Sequence, residues 1–285
     1  MPSLLDLRRR VRSIKNTQQI TKAMKMVSAA KLRRAQDRIL SARPFALKML
    51  EVLNSLATRA DPEAHPLLLV REPQRVEVVV ITADKGLAGA FNANILKEAM
   101  SFLNKANAGE LELRVVGKKA RDFFRRRHFT IRSEYVDIFR DLTYEHCREV
   151  AKPIMDRYME GSLDAVFIIY NQFKNVMQQD VVAERLLPLE KLSFDRPEEQ
   201  FDYIYEPTAK EILTDLIPTH VEYQVWRALL ESAAAEHAAR MTAMDSATKN
   251  AGELIDHLTL TMNRARQASI TNEILEVVSG VEALK

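Results

Sequence analysis

The sequence predicts an α/β domain with a small, largely parallel sheet, inserted between two long helices that occupy the two ends of the chain. First, both ends are nearly free of helix breakers: no proline follows Pro218, and residues 3–60 contain only Pro44. Second, apolar residues at both ends recur with the three-four spacing of a coiled coil. Third, the middle of the chain alternates short β-branched runs with helical segments, which is the pattern of parallel α/β sheets.

The N-terminal region, residues 1–60, is expected to form one long helix. Ser3 and Asp6 give a weak capping-box pattern at its start. The apolar stripe then comprises Leu4, Leu7, Val11 and Ile14, weakens at Gln18 and Thr21, and resumes at Leu32, Ala35, Ile39, Ala42, Ala46, Met49, Leu53 and Leu56. Because Pro44 removes one backbone hydrogen bond, we expect the helix to bend or break near Ala42–Arg43.

The C-terminal region, residues 208–285, is expected to form the second helix of the coiled coil. Its apolar stripe steps alternately by four and three residues through Leu230, Ala234, His237, Met241, Met244, Thr248, Ala251, Ile255, Leu258, Met262 and Ala265. This period of 3.5 predicts a left-handed supercoil, and a continuous helix from Pro218 to Lys285 would be roughly 100 Å long. Interspersed charges exclude a membrane span. A single long helix on the surface of a large domain is the alternative.

Charge is distributed unevenly, although the formal net charge is only +3. Residues 1–60 hold fourteen Lys and Arg and three acidic residues, a local charge of +11, whereas residues 215–285 hold six basic and ten acidic residues, a local charge of −4. Opposite charges favour pairing of the two helices with each other over self-pairing. A basic stripe is also typical of nucleic-acid-binding helices, but Phe45 is the only aromatic residue there that could stack on bases.

Residues 75–205 are expected to form the α/β domain, after a linker that contains Pro62, Pro66 and Pro73. Strands are predicted at Val76–Thr82, Leu111–Val116, Phe129–Ser133, Asp164–Tyr170 and, at a sheet edge, Val176–Leu187. Helices are predicted at Ala90–Lys105, Lys118–Arg127 and Thr143–Glu160, and a loop-rich stretch at Phe194–Pro218. This alternation predicts a Rossmann-like small parallel-sheet domain.

The inserted domain can join the two long helices at one end, so we expect them to pack antiparallel with both termini towards the far end. Such a pair would extend beyond the domain by roughly tens of ångströms. A rod of two helices has too small a core to bury all of its apolar surface. We therefore expect partner proteins to cover it.

The sequence contains no recognisable catalytic, metal-binding or cofactor-binding motif. The segment ITADKGLAGAFNANI follows a strand and precedes a helix, but it lacks the lysine and hydroxyl of a phosphate-binding loop, and a tight turn explains Gly86 and Gly89. The six histidines lack zinc-protease spacing, and the single Cys147 cannot form an internal disulfide or a zinc knuckle. We expect no catalytic residue, no metal and no cofactor, and a reducing compartment.

Three segments resemble the gamma subunit of F-type ATP synthases: LRRRVRSIKNTQQITKAMKMVSAAKLRRAQ, ITADKGLAGAFNANI and EHAARMTAMDSATKNAGELIDHLTLTMNRARQASITNEILEVVSGVEAL. They cover both ends and the middle domain. The resemblance implies a non-catalytic central rotor shaft that couples ion-driven rotation of the c ring to ATP synthesis or hydrolysis in the alpha and beta subunits. It implies the alpha and beta subunits, the epsilon subunit and the c-subunit ring as partners, with no nucleic acid and membrane contact only through the complex.

The same resemblance implies two sets of contact residues. The set that faces the beta subunits lies in TKAMKM and NRARQ and comprises Met24, Lys25, Arg264 and Gln267. The set that meets the c ring comprises Lys31 together with the pair in DYIYEP, Tyr205 and Glu206.

Two departures from relatives suggest where the protein works. The cysteine-containing insert of plant-plastid members is missing, and the family pattern begins within a few residues of Met1, without the transit peptide of mitochondrial precursors. No apolar run of about 18 residues could span a membrane. We expect a bacterial protein bound peripherally to the cytoplasmic face of the plasma (inner) membrane.

Two other functions remain open on the sequence alone. A coiled-coil adaptor or nucleic-acid-binding protein would use the basic N-terminal helix, and nucleic-acid binding would be sensitive to salt. An enzyme carried by the α/β domain would show turnover or a bound nucleotide in the isolated chain.

Overall fold

The computed structural model describes residues 3–57, 65–106, 109–189 and 208–282. The helices are α1 (Leu4–Ala57), α2 (Phe91–Lys105), α3 (Lys118–Arg125), α4 (Tyr144–Met159) and α5 (Ala209–Glu282). The strands are β1 (Arg75–Ile81), β2 (Glu110–Val116), β3 (Ile131–Tyr135), β4 (Ala165–Phe173) and β5 (Gln179–Leu187), and two short 3-10 helices cover Pro66–Leu68 and Ile138–Arg140. This order confirms the prediction of an α/β domain between two long helices.

The five strands form one sheet in the order β3-β2-β1-β4-β5. The central strand β1 pairs in parallel with β2 and β4, and β2 pairs in parallel with β3. The edge strand β5 is antiparallel to β4, with a register that runs from Val166 opposite Leu187 to Phe173 opposite Gln179. The short connection between β4 and β5 explains this direction, because a hairpin turn can join only antiparallel neighbours.

Alternate residues of the central strand enter two separate hydrophobic layers. Val78 and Val80 pack with residues of α2 and α3 on one face of the sheet. Val79 and Ile81 pack on the other face with residues of α4, α1 and α5. A strand that is covered on both faces explains the uninterrupted β-branched run in the sequence.

The long C-terminal helix starts at the beginning of the region 208–285 that was expected to be helical, and not after Pro218. It begins at Ala209, so the predicted loop-rich stretch up to Pro218 is wrong for residues 209–218. Pro218 lies inside the helix and removes one backbone hydrogen bond. Leu213, Ile217 and Val221 around it are buried in the core, and this tertiary packing stabilises the helix across the proline.

Helix α1 likewise continues through Pro44, so of the two outcomes predicted near Ala42–Arg43, a bend or a break, the break is wrong. Pro44 is exposed, whereas Ala46 and Met49 pack in the core, so the proline ring occupies the solvent side of the helix. The third strand also lies two residues later than predicted, at Ile131–Tyr135. Phe129 instead packs edge-on against Phe124 with a ring-centroid distance of 5.4 Å.

Contacts divide the described chain into two compact units, and each unit contains part of α1 and part of α5. Unit 1 holds residues 3–28 and 241–282, and unit 2 holds the described residues between 29 and 240. Within unit 2 the Tyr223 hydroxyl donates to the Ala42 carbonyl at 3.4 Å, while Lys31 lies close enough to His237 to affect its pKa. Later residues of α1 thus face earlier residues of α5, so the two helices are antiparallel in this unit.

Buried His220 on α5 should make the stability of unit 2 depend on pH. Burial, with a smaller contribution from Arg227, lowers the pKa of His220 to about 4, and its Nδ1 has no hydrogen-bond partner among the described residues. In the unfolded chain the ring titrates near about 6.5, so the unfolded state binds the proton first as the pH falls. The contribution of His220 to stability is therefore complete above about pH 6.5 and is lost progressively towards pH 4.

We expect His220→Asn to weaken this pH dependence. Between pH 8 and pH 5 the wild-type chain should lose about 2 kcal/mol more unfolding free energy than the variant does. Urea denaturation at the two pH values measures the difference. His257→Asn, which changes an exposed histidine on the same helix, is the control. Equal losses in wild type and His220→Asn would contradict the assignment.

Candidate functional site

Unit 1 consists of the paired ends of the two long helices, and a polar layer joins them. The Thr21 and Thr248 hydroxyls are 2.8 Å apart, and the Gln18 amide donates to the Thr248 carbonyl at 3.4 Å. Lys25 Nζ donates to Asp245 Oδ1 at 2.6 Å. Residues 18, 21 and 25 thus meet α5 in descending order, so the helices are antiparallel here too.

The ion pair beside this layer involves three charges. Asp245 accepts from Lys25 and also lies 3.2 Å from Lys249 Nζ. The hydrogen bond from Lys25, followed by that from Lys249, lowers the pKa of Asp245. Because the three side chains are partly or largely exposed, we attribute to them orientation of the helices and little stability.

The seam of unit 1 follows the predicted apolar stripe, since none of its positions in residues 4–21 and 241–265 is exposed. Leu7, Met244 and Ala251 are buried. Gly252 lets the helices approach closely: a Cβ there would lie 3.2 Å from Gln18 Nε2. Gln18 and Thr21 weaken the predicted stripe of one helix and Thr248 that of the other, and matching these interruptions could have found the polar layer from the sequence.

The outer surface of unit 1 is unusually apolar for a surface in contact with water. From Ile270 to Gly280 every residue of α5 is exposed. The large apolar side chains exposed in unit 1 are Leu5, Ile20, Met26, Val27, Leu254, Leu260, Ile270, Ile274, Leu275, Val277 and Val278. Soluble proteins rarely leave so many apolar side chains in water, and such a surface marks a site of contact with other proteins.

The residues implied for the beta subunits fall into two groups. Met24 is half-buried in unit 1, and Lys25 forms the ion pair with Asp245. Arg264 and Gln267 are exposed on α5, and Arg264 makes no ion pair with any described residue. The structure therefore places Met24 and Lys25 at the helix pair and leaves Arg264 and Gln267 exposed to solvent.

The residues implied for the c ring are placed only in part. Lys31 is exposed on α1 in unit 2. Tyr205 and Glu206 lie outside the described residues.

The segment ITADKGLAGAFNANI forms the connection from β1 to α2 in unit 2. Asp84 Oδ1 accepts hydrogen bonds from the backbone N–H groups of Lys118 and Asp137, at 3.0 Å each. Leu87 and Gly89 have positive φ angles of 62° and 55°. The predicted tight turn is confirmed, and it presents Leu87 to solvent.

In the part of the chain that the structure describes, no group of three or more His, Cys, Asp or Glu side chains is arranged to hold a metal ion. Among the described helices, none combines the length and apolar character that crossing a membrane requires.

Comparison with known proteins gives consistent results over the full length. A family profile described as ATP synthase matches residues 3–284. The ATP synthase gamma chain of Pelotomaculum thermopropionicum is 50% identical over 285 residues, and the match covers 100% of both chains. The ATP synthase gamma chain of an Anaeromyxobacter species is 51% identical over 290 residues, again with 100% of both chains covered.

Solved structures agree with the fold. A chain of the central stalk and c-ring structure of Tetrahymena thermophila mitochondrial ATP synthase is 30% identical, with a TM-score of 0.61 over 80% of this chain and 99% of that chain. A chain from Euglena gracilis mitochondrial ATP synthase, at 21% identity, shares the fold with a TM-score of 0.71 over 99% of this chain and 94% of that chain. With relatives about half identical over their whole length, the chain belongs to the ATP synthase gamma-chain family.

Proposed function

We propose that this chain is the central rotor shaft of an F-type, proton-translocating ATP synthase, and that it is itself non-catalytic. The full-length identity of 50% to a gamma chain carries the proposal. As a rotor it couples ion-driven rotation of the c ring to ATP synthesis, or hydrolysis, in the alpha and beta subunits. The alternative of an adaptor or nucleic-acid-binding protein has no comparable support, because the matched relatives are gamma chains along their entire length.

We assign a part of the rotor to each of the three regions of the sequence. Residues 1–60 and 208–285 form the shaft, and residues 75–205 form the foot. The exposed apolar surface of unit 1 supports contact with the alpha and beta subunits, since a shaft inside a ring of subunits has its surface covered by them. The foot would sit on the c ring beside the epsilon subunit, and the Tetrahymena relative belongs to a structure of a central stalk with a c ring.

Contact residues are proposed in the same terms. Those that face the beta subunits are Met24, Lys25, Arg264 and Gln267, and those that face the c ring are Lys31, Tyr205 and Glu206. Exposure of Arg264 and Gln267 supports the first assignment. The half-buried position of Met24 and the pairing of Lys25 with Asp245 support an indirect role, in which these two set the spacing and rotation of the helices.

Rotation needs no catalytic group in the shaft. Three catalytic subunits around one asymmetric axle each meet a different face of it, and each face can stabilise a different conformation only through contacts that differ between states. A guanidinium such as that of Arg264 can donate to a carboxylate at one angle and lose that contact at the next. The complex would hold the chain at the cytoplasmic face of a bacterial plasma membrane.

Charge reversal by Arg264→Glu tests the contact surface. We expect ATP turnover of the reconstituted complex to fall about 10-fold to 100-fold, the range for loss of a hydrogen bond to a charged group of about 1.5–3 kcal/mol. The melting temperature of the isolated chain should not change, because the side chain is exposed and forms no ion pair with a described residue. Arg266→Glu, two residues along the same exposed stretch, is the matched control.

Comparison of Arg264→Glu with Arg266→Glu shows whether Arg264 contacts a partner subunit or stabilises the chain itself. Equal turnover in the two variants would remove Arg264 from the proposed set, and a parallel loss of thermal stability would make its role structural. The function itself is tested by coexpression with alpha and beta subunits. A rotor predicts one copy of this chain for three beta subunits and ATP-driven rotation of a bead attached to the foot. Failure to assemble would overturn the proposal.

A further inference from the structure

The turn after β1, residues 84–89, is fixed to its own unit from both ends. Asn92 Oδ1 accepts from the Ala83 backbone N–H at 3.0 Å, and Asn92 Nδ2 donates to the Lys85 carbonyl at 3.4 Å. The carboxylate of Asp84 holds the starts of α3 and of the 3-10 helix through two backbone N–H groups. The apex around Gly86 has none of these restraints, and its contact comes from another element.

That contact is made by Arg240 of α5. Arg240 Nη2 donates to the Gly86 carbonyl at 3.1 Å, and Arg240 Nη1 lies 2.7 Å from Glu236 Oε1, one helical turn earlier. The Arg240 and Glu236 side chains are only 12% and 9% exposed. A guanidinium offers several donors in a rigid fork, so one side chain can join a carboxylate on the helix to a carbonyl on the turn.

The charges around Arg240 favour this bridge. Burial raises the pKa of Glu236, and Arg240 acts in the opposite direction on it, as does Lys31, while Asp84 adds to the increase. Burial lowers the pKa of the neighbouring His237 to about 4, so its ring is neutral at pH 7. Arg240 is thus the closest cation to Glu236 among the described residues, and Glu236 in turn fixes where the guanidinium points.

We propose that Arg240 is a positioning residue that attaches the 84–89 turn to α5, so that helix and turn move as one rigid part. The bond to Gly86 links α5 to the turn that follows the central strand β1. The consequence for rotation rests on the proposed function: a rotor must pass torque between its foot and its helices without slack. Apolar packing alone is a weak restraint on sliding of the turn against α5, because hydrophobic contacts have no preferred direction. The two hydrogen-bonding ends of the guanidinium fix one orientation of the turn relative to the helix.

A spin label on Leu87→Cys in the full chain measures the motion of the turn. Leu87 is 66% exposed, so the label reaches solvent without entering the core. The only natural cysteine, Cys147, is buried, and burial raises its thiol pKa to about 12, so labelling is confined to residue 87. We expect Arg240→Ala to shorten the rotational correlation time of the label about threefold or more, into the range of mobile loops.

Two further variants make the result specific. Arg227→Ala is the matched control, because Arg227 also forms an ion pair from α5, to Glu184 of β5, and has no hydrogen bond or ion pair with the described residues 84–89. In Arg227→Ala the label at residue 87 should remain as immobile as in the Leu87→Cys chain without a second substitution. Arg240→Lys should restore the pairing with Glu236 but leave the label more mobile than in the parent, because an ammonium lacks the fork. An unchanged spectrum in Arg240→Ala, or equal mobility in the Arg227→Ala control, would overturn the proposal.

The assembled complex separates this proposal from the proposed function. With the turn loosened, Arg240→Ala should lower the protons pumped per ATP hydrolysed more than Arg227→Ala does, at an equal amount of assembled enzyme. A loosened turn with an unchanged pumping ratio would overturn the role in rotation. Absence of assembly by the wild-type chain would instead overturn the rotor function, and the spin-label result would still decide whether Arg240 holds the turn.

Discussion

Replacing Arg114 with methionine is expected to lower the free energy of unfolding of the chain by about 3–5 kcal/mol. Arg114 on β2 and Glu77 on β1 are 1% and 0% exposed, and Arg114 Nε lies 2.5 Å from Glu77 Oε1. Arg114 Nη1 also donates to the Tyr135 hydroxyl at 2.8 Å. Removal of the guanidinium leaves a carboxylate inside the hydrophobic layer without its nearest cation. Urea denaturation of the full chain measures the loss.

The second cation near Glu77 sets the lower part of this range. Arg157 of α4 lies 2.6 Å from Glu77 Oε2 and 2.8 Å from Glu112 Oε2, and it is only 20% exposed. In Arg114→Met the Arg157 guanidinium still offsets part of the negative charge of Glu77, but it is shared with the Glu112 carboxylate. Adding Glu77→Leu to Arg114→Met should recover part of the stability, since the unpaired buried charge is then gone.

Arg125→Met is the matched control for this prediction. Arg125 forms a two-bond pair with Glu134, with both distances 2.7 Å, but its side chain is 62% exposed. An exposed pair of this kind contributes about 1 kcal/mol or less. Similar losses in Arg114→Met and Arg125→Met would show that burial does not set the energetics of the network.

Gly117→Ala is expected to be about as damaging, with a loss of about 3–5 kcal/mol from backbone strain and overpacking together. Gly117 joins β2 to α3 and has a φ of 93°, a region that residues with a Cβ rarely adopt. A Cβ there would lie 2.2 Å from the Thr82 carbonyl oxygen, which is backbone and cannot move aside. Thr82 also accepts from the Ala120 N–H through its hydroxyl at 2.9 Å, so a shift would disturb the start of α3.

Gly161→Ala separates the two causes. Gly161 has a similar positive φ of 74°, but a Cβ there meets nothing within 4 Å. Its loss should stay near the cost of backbone strain alone, about 1–2 kcal/mol. Urea denaturation of both variants beside the wild type measures the difference. If the two glycines cost the same, steric contact at Thr82 is not what makes Gly117 necessary.

Much of the candidate site in unit 1 could be predicted from local sequence patterns. The three-four stripe predicted which side of α5 is covered in unit 1, from Met244 to Ala265, because helical periodicity depends only on neighbouring residues. The effect of the two prolines on their helices could not be predicted from neighbouring residues alone. Pro44 and Pro218 disfavour helix locally, but burial of flanking residues such as Met49 and Ile217 comes from distant parts of the chain and outweighs one lost hydrogen bond.

The sequence by itself determined the kinds of elements, their order, the apolar stripes and the family, because these depend on short-range periodicity and on motifs that can be read along the chain. Only the tertiary structure decided which charges became partners. Glu77 and Arg114 are 37 residues apart, and Gly86 and Arg240 are 154 apart. In the sequence each reads as an ordinary surface charge or turn residue. Folding buries Glu77 and Arg114 together and leaves the Arg240 side chain only 12% exposed beside the turn, and exclusion of water strengthens each contact.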